Sequence, residues 1–151
     1  MQILGIDYGE KIIGLAISDP SGIIAHGHGV IEHITLATDL EQLRDIIQTE
    51  KIEQIVIGLP KKLDNTLGAK AKEVMEFVEE LKQYTDVPIV FWDERLTSVE
   101  AGRSIREMHL KRAQRKRHVN TVAACIILQS YLDASRVNPV SSDVQEDHDP
   151  V

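Results

Sequence analysis

Two apolar runs in this chain end on acid. The first, QILGID, closes on Asp7 and is followed at once by the turn Gly9-Glu10-Lys11; the second, VPIVFW, closes on Asp93-Glu94. Runs of this kind read as buried strands, and in α/β sheets ligands gather beyond the carboxyl ends of strands. Adjacent parallel strands would bring these ends within a few ångströms of each other, so Asp7 and the Asp93-Glu94 pair are candidates for a single site. Carboxylates brought together there repel by roughly 4 kcal/mol per pair at 4 Å for an effective dielectric near 20, so the cluster needs a proton or a cation. A hard divalent ion is the usual answer: Mg²⁺ takes octahedral oxygen ligands, keeps several waters and is held by one or two carboxylates together with substrate phosphate. This points to phosphodiester or phosphoryl chemistry at the acids Asp7 and Asp93-Glu94.

The surrounding polar residues suit a phosphate backbone. Lys11 follows the first acid by a turn, and Arg95 and Thr97 follow Glu94. The segment KRAQRKRH packs Lys111, Arg112, Arg115, Lys116 and Arg117 just before Asn120. Basic side chains beside a metal site hold the phosphates flanking the reacting one. A net charge of −7 argues against nucleic acid only if it is spread evenly. Residues 141–151 hold Asp143, Glu146, Asp147 and Asp149 and no Lys or Arg, which leaves −3 for the rest of the chain. The basic segment is then a local patch on a mildly acidic protein. Aromatic residues are 4% of the chain, so recognition of backbone shape or junction geometry is expected rather than base stacking.

Other candidate groups carry less. His26 and His28 lack a third ligand at suitable spacing and read as strand surface. Cys125 is the only cysteine and sits in the apolar run AACIIL, so neither a disulfide, a thiolate metal cluster nor an activated thiol is expected.

The elements that must position these residues alternate along the chain. QILGID and KIIGLAISD read as two strands around a tight turn, and GIIAHGHGVIEH as a third after the turn signal Asp19-Pro20-Ser21-Gly22. A helix follows on the stripe Leu36, Leu40, Leu43 and Ile47, with Thr38 and Glu41 in capping-box spacing. IEQIVIGLP reads as a central parallel strand stopped by Gly58 and Pro60. Leu67, Ala71, Val74, Val78 and Leu81 mark the next helix, and VPIVFWDE the next strand. Thr97 and Glu100 introduce a helix to about His109. The last helix carries Val122, Ala123, Ile126, Ile127 and Tyr131, with Asn120 expected at its N-cap.

The fold class this predicts is α/β: a mixed five-stranded sheet, three antiparallel strands and then parallel strands, with helices on both faces. With 42% hydrophobic and 27% charged residues the chain can fill one ordinary core. Residues 1–135 are expected to form one domain, and residues 136–151, acidic and non-periodic, a disordered tail. The start lacks a basic segment followed by an apolar leader, and no apolar run approaches the roughly 20 residues of a membrane span, so the cytoplasm is the expected compartment and no membrane partner is expected.

Taken together, GIDYGEK with IGLAISD, then IVIGLP, FWDERLTSVEA and RKRHVNTVAA followed by ILQSYLD, in this order and spacing, resemble the YqgF/RuvX family over about residues 1–135. The resemblance implies a ribonuclease H-like fold and a carboxylate metal site. It also implies a Mg²⁺- or Mn²⁺-dependent endonuclease on structured nucleic acid, either branched DNA or the precursor of 16S ribosomal RNA at its 5′ end. The family's first acid falls on Asp7, and the acid of its D-E-R-L-T motif on Glu94. Its third acid, in V-D-x-x-A-A, falls on Asn120, where this chain reads Val119-Asn120-Thr121-Val122-Ala123-Ala124. Gly9-Glu10-Lys11 and PKKLDN also depart from the family's Gly-Thr-Lys and P-L-N-M-D-G patterns.

An amide oxygen can still ligate Mg²⁺, but one negative charge leaves the site, so a second ion is held less well unless Glu10 or Asp93 restores the charge. Asn120 thus also supports a non-catalytic nucleic-acid-binding alternative. A symmetric junction as substrate would favour a homodimer. DYGEKIIGLA resembles the phosphate-binding hairpin of actin-like ATPases and sugar kinases as well, but those enzymes close two lobes around the nucleotide, and this chain supplies one domain.

Overall fold

In the computed structural model, residues 1–60, 68–94 and 118–137 are described, with the backbone alone for 118–120 and 136–137. The elements run β1 (Ile3–Tyr8), β2 (Ile12–Ser18), β3 (Ala25–Glu32), α1 (Leu36–Thr49), β4 (Gln54–Leu59), α2 (Ala69–Leu81), β5 (Ile89–Asp93) and the last described helix, α3 (His118–Val137). The strands form one sheet in the order β3-β2-β1-β4-β5. β1, β2 and β3 pair antiparallel, and β1, β4 and β5 pair parallel. This is the mixed five-stranded sheet expected from the sequence.

The central strands are apolar on both sides because both sides are covered. Leu4, Ile6, Ile55 and Ile57 face a core shared with Leu40, Leu43 and Ile47 of α1 and with Val74, Phe77 and Leu81 of α2. On the opposite face Ile3, Ala16 and Val56 pack against Ala124, Cys125 and Leu128 of α3. A Cβ on Gly5 would stand 2.8 Å from Leu128 Cβ and 3.3 Å from the Ala124 carbonyl oxygen. The missing side chain is what lets α3 lie directly on β1.

Polar contacts then fix the direction of α3. Gln129 accepts from the Ala25 N–H at 2.9 Å and donates to the Ile23 carbonyl at 2.8 Å, where β3 begins. Thr121 Oγ1 donates to the Gly29 carbonyl at 3.1 Å, further along β3. Val30 pairs with Gly14, and Gly14 with Asp7. The first turn of α3 therefore lies at the end of the sheet where β1 delivers Asp7.

Four local expectations need correction. The N-cap of α1 is Thr35, whose side chain accepts from the Thr38 N–H, not Thr38 itself. Leu36, the first helical residue, is 46% exposed, and buried Asp39 stands near that end of the helix instead. β4 continues through Gly58 to Leu59, so Gly58 is part of the strand rather than its stop. Asn120 is already helical, because α3 is wound from at least His118, so it is not the N-cap. The Thr97 and Glu100 helix start, Leu67 and the PKKLDN loop lie outside the described residues, as do residues 138–151 of the expected tail; α3 itself extends to Val137.

Candidate active site

Asp7 is the fifth residue of β1, and Glu94 follows the last residue of β5. The two strands are not neighbours as the sequence suggested: β4 lies between them. Their acids approach because β4 carries no side chain at the crossing point. A Cβ on Gly58 would stand 2.6 Å from Glu94 Oε2, 3.1 Å from Glu94 Cγ and 2.6 Å from Ile127 Cδ1. Glu94 therefore reaches across β4 beneath α3, towards the end of β1.

The electrostatics match this placement. Burial pushes the Asp7 carboxyl above its usual range, with Lys70 pulling it back. Burial also raises Glu94, followed by the negative charge of Asp7; Lys70 again opposes the shift and Asp93 adds to it. Each acid is thus held where its charge is costly and only partly offset by Lys70, which suits a hard divalent cation held by Asp7 and Glu94. Among the described residues no three His, Cys, Asp or Glu side chains form a group able to hold a metal. Two carboxylates therefore make up the acid set in the described part of the site, and further oxygen donors would come from water, phosphate or undescribed side chains.

Lys11 is exposed on the β1–β2 turn, as is Glu10. Asn120 lies by its backbone in the first described turn of α3, at the Asp7 end of the sheet. Arg95, Thr97, Lys111, Arg112, Arg115, Lys116 and Arg117 lie outside the described residues. His26 and His28 are exposed on edge strand β3. Cys125 is buried and its thiol is pushed up to about 12 by burial, far from an activated nucleophile.

Sequence reasoning overlooked three residues. Lys70, exposed in the first turn of α2, is, among the described residues, a cation whose charge bears on both acids. The signal was present in GAKAKEV: two lysines and no acid in the first turn of a helix that follows a central strand. Gly58 was read as punctuation, because its role depends on a side chain arriving from another strand. His33 was assigned nothing; its ring nitrogens meet Asp39 and the Gly9 carbonyl beside the β1–β2 turn.

A five-stranded sheet of this order, covered by helices on both faces and carrying acids at the ends of β1 and β5, is a ribonuclease H-like domain. The structure of Thermus thermophilus RuvC in complex with a Holliday junction substrate superposes with a TM-score of 0.68 at 17% identity, covering 91% of this chain and 96% of that one. The fowlpox virus resolvase, in complex with substrate Holliday junction DNA, gives a TM-score of 0.55 at 10% identity over 89% of this chain and 98% of that one. At these identities the likeness is one of fold. The chain belongs to the RuvX family, described as Holliday junction resolvase, which it matches over residues 1–134.

Curated relatives carry the name "Putative pre-16S rRNA nuclease". The protein from Thermoanaerobacter pseudethanolicus is 45% identical over 137 residues, spanning 90% of this chain and 99% of its own. That from Syntrophomonas wolfei is 44% identical over 133 residues, spanning 88% and 94%. Among the described residues no helix is long and apolar enough to cross a membrane.

Proposed function

We propose that this protein is a metal-dependent endonuclease that hydrolyses phosphodiester bonds in structured nucleic acid, with the precursor of 16S ribosomal RNA as its substrate. The observation that carries this reading is the path of Glu94 across Gly58 towards Asp7, which collects two half-buried, mutually repelling acids at one end of the sheet. Family membership supports the reaction class, and the names of the relatives support the ribosomal substrate.

In this reading Asp7 and Glu94 hold Mg²⁺ or Mn²⁺, with the Asn120 amide oxygen as a weaker third donor. Bound there, a divalent ion would offset the phosphate charge and activate water for attack on phosphorus. The chain supplies position and charge. β1 and β5 hold the two acids rigidly, and Lys70 and Lys11 carry positive charge to the phosphates on either side of the scissile one. Arg95, Thr97 and the cations from Lys111 to Arg117 extend that contact along the backbone. The reaction adds the water oxygen to phosphorus and breaks one P–O ester bond, leaving a phosphate on one fragment and a hydroxyl on the other. The protein acts in the cytoplasm, where ribosomal precursors are processed, and a two-fold homodimer is the assembly that would fit a symmetric junction.

The test is cleavage of end-labelled 16S precursor RNA and of a four-way DNA junction by the purified full chain with Mg²⁺ or Mn²⁺. Cutting of the RNA that disappears in both Asp7→Asn and Glu94→Gln is the expected result. Cutting of the junction alone would move the substrate to DNA. Retained binding with no cutting of either would replace the nuclease by a non-catalytic binding protein.

A further inference from the structure

Two backbone carbonyls of the turn that follows Asp7 are bonded to one residue. His33, just past β3, donates its backbone N–H to the Lys11 carbonyl at 3.0 Å, and its ring Nε2 lies 2.9 Å from the Gly9 carbonyl oxygen. The other ring nitrogen, Nδ1, is 2.6 Å from Asp39 Oδ2. Asp39 is only 2% exposed, and its Oδ1 also accepts from the Ile34 N–H at 3.3 Å. The turn is closed from within by the Gly9 N–H donating to Ile12 O at 3.0 Å.

The chemistry of these partners defines the state of the ring. A carbonyl oxygen can only accept, so Nε2 must carry a proton to bond Gly9, and the carboxylate facing Nδ1 accepts as well. Neutral imidazole has one N–H, so both bonds are made together only by the imidazolium. Burial opposes that charge, but the Asp39 hydrogen bond, the Gly9 carbonyl and the Asp39 charge outweigh it, and the pKa is raised above 6.5. The other titratable group facing the ring is the Tyr8 phenol of β1, whose ring meets it edge-on at 5.4 Å. Glu73 of α2 and Asp39 act on that phenol in turn, raising it after burial. The described cations near this end of the sheet are Lys11 and Lys70, both exposed.

We propose that His33 is a positioning residue: its imidazolium ties the Gly9–Lys11 turn to α1 and thereby sets the orientation in which β1 presents Asp7 and Lys11 to nucleic acid. This rests on the nuclease reading for its effect on cleavage, but the tie itself does not. The tie is made below the raised pKa and is lost as pH rises through it, because the neutral ring keeps only one of the two bonds.

The test uses the full chain in three measurements. Nitrogen-15 NMR of the His33 ring should show both nitrogens protonated with a midpoint above 6.5, moving down in Asp39→Asn. The exchange of the Gly9 amide, corrected for its intrinsic pH dependence, should accelerate by on the order of tenfold through that midpoint, and His33→Ala should show the fast rate at every pH. In the cleavage assay His33→Ala should lose on the order of tenfold in rate, with the alkaline limb of the wild-type profile flattened, and His33→Gln, which keeps one donor, should recover part of it. A midpoint at or below 6.5, or Gly9 exchange indifferent to His33, overturns the tie. An unchanged pH profile in His33→Ala overturns its effect on the site. If the wild type cut nothing, the nuclease reading would fall alone, and the titration and the exchange would still decide the tie.

Discussion

Glu94 occupies the space that a side chain on Gly58 would fill, with Oε2 only 2.6 Å from the position of a Cβ there. Replacing Gly58 with alanine should displace the acid while leaving the strand intact. The obstructing atoms, Glu94 Oε2 and Ile127 Cδ1, are the ends of flexible side chains, so stability should fall by only about 1 kcal/mol. Cleavage should fall on the order of a hundredfold, since small displacements of a reacting group are costly. Full activity in Gly58→Ala would show that cleavage does not need Glu94 at this place.

The two acids should destabilise the metal-free protein. Both are raised above their ordinary values of 3.8 and 4.5, so the folded chain binds these protons more tightly than the unfolded one. Their contribution to stability is best below those values and is lost as pH rises through the raised pKa values. Asp7→Asn should therefore raise the metal-free Tm at pH 7 by about 2–4 °C while abolishing cleavage. Mg²⁺ should raise the wild-type Tm at pH 7 and have less effect as pH falls through the raised pKa values, where protons compete for the ligands. Calorimetry with and without metal reads both.

In the proposed site Asn120→Asp would add a third negative donor. Cleavage should increase and the Mg²⁺ concentration for half-maximal rate should fall. Because Asn120 is helical rather than a cap, the relevant comparison is helix propensity, in which asparagine and aspartate are near equal. The Tm should change little. An unchanged metal dependence in this variant would show that the position is not a ligand.

The basic segment should account for much of the affinity. Neutralising Arg115, Lys116 and Arg117 together should weaken binding to all sequences alike. Each lost phosphate contact should reduce the slope of log K against log salt by about 0.9 on duplex DNA. Binding measured from 50 to 200 mM salt tests this, and an unaltered slope would turn the patch away from the substrate.

Gly5→Ala should behave unlike Gly58→Ala. Its new methyl would meet Leu128 Cβ and the Ala124 carbonyl, neither of which can swing aside without moving α3. A loss of about 1–3 kcal/mol is expected in urea unfolding. Activity should also suffer, because the first described turn of the same helix lies at the Asp7 end of the sheet.

The order of elements was legible because apolar periodicity and turn chemistry are local. QILGID, IEQIVIGLP and VPIVFWDE alternate with helical stripes whose spacing shows in the chain itself, and the acids Asp7 and Glu94 stand out because charge is rare at the end of a buried run. Where local rules compete, they misplaced detail. Thr38-x-x-Glu41 and Thr35-x-x-Thr38 both offer an N-cap hydroxyl, and what distinguishes Thr35 is the seating of buried Asp39 against His33. Asn120 suits a cap as well as a helix interior, and it falls inside a helix that is already wound at His118.

The sequence by itself thus determined the sheet, the helices on its two faces, and which acids end β1 and β5. Only the tertiary structure decided that β4 separates those strands and that Gly58 opens the way for Glu94. It also brought Lys70 to bear on both acids and joined His33 to two carbonyls of the turn 22 to 24 residues before it. The reason is physical: strand and helix formation depend on neighbours within a few positions, whereas a missing side chain, a nearby charge or a shared carbonyl acquires meaning only when distant segments are packed against each other.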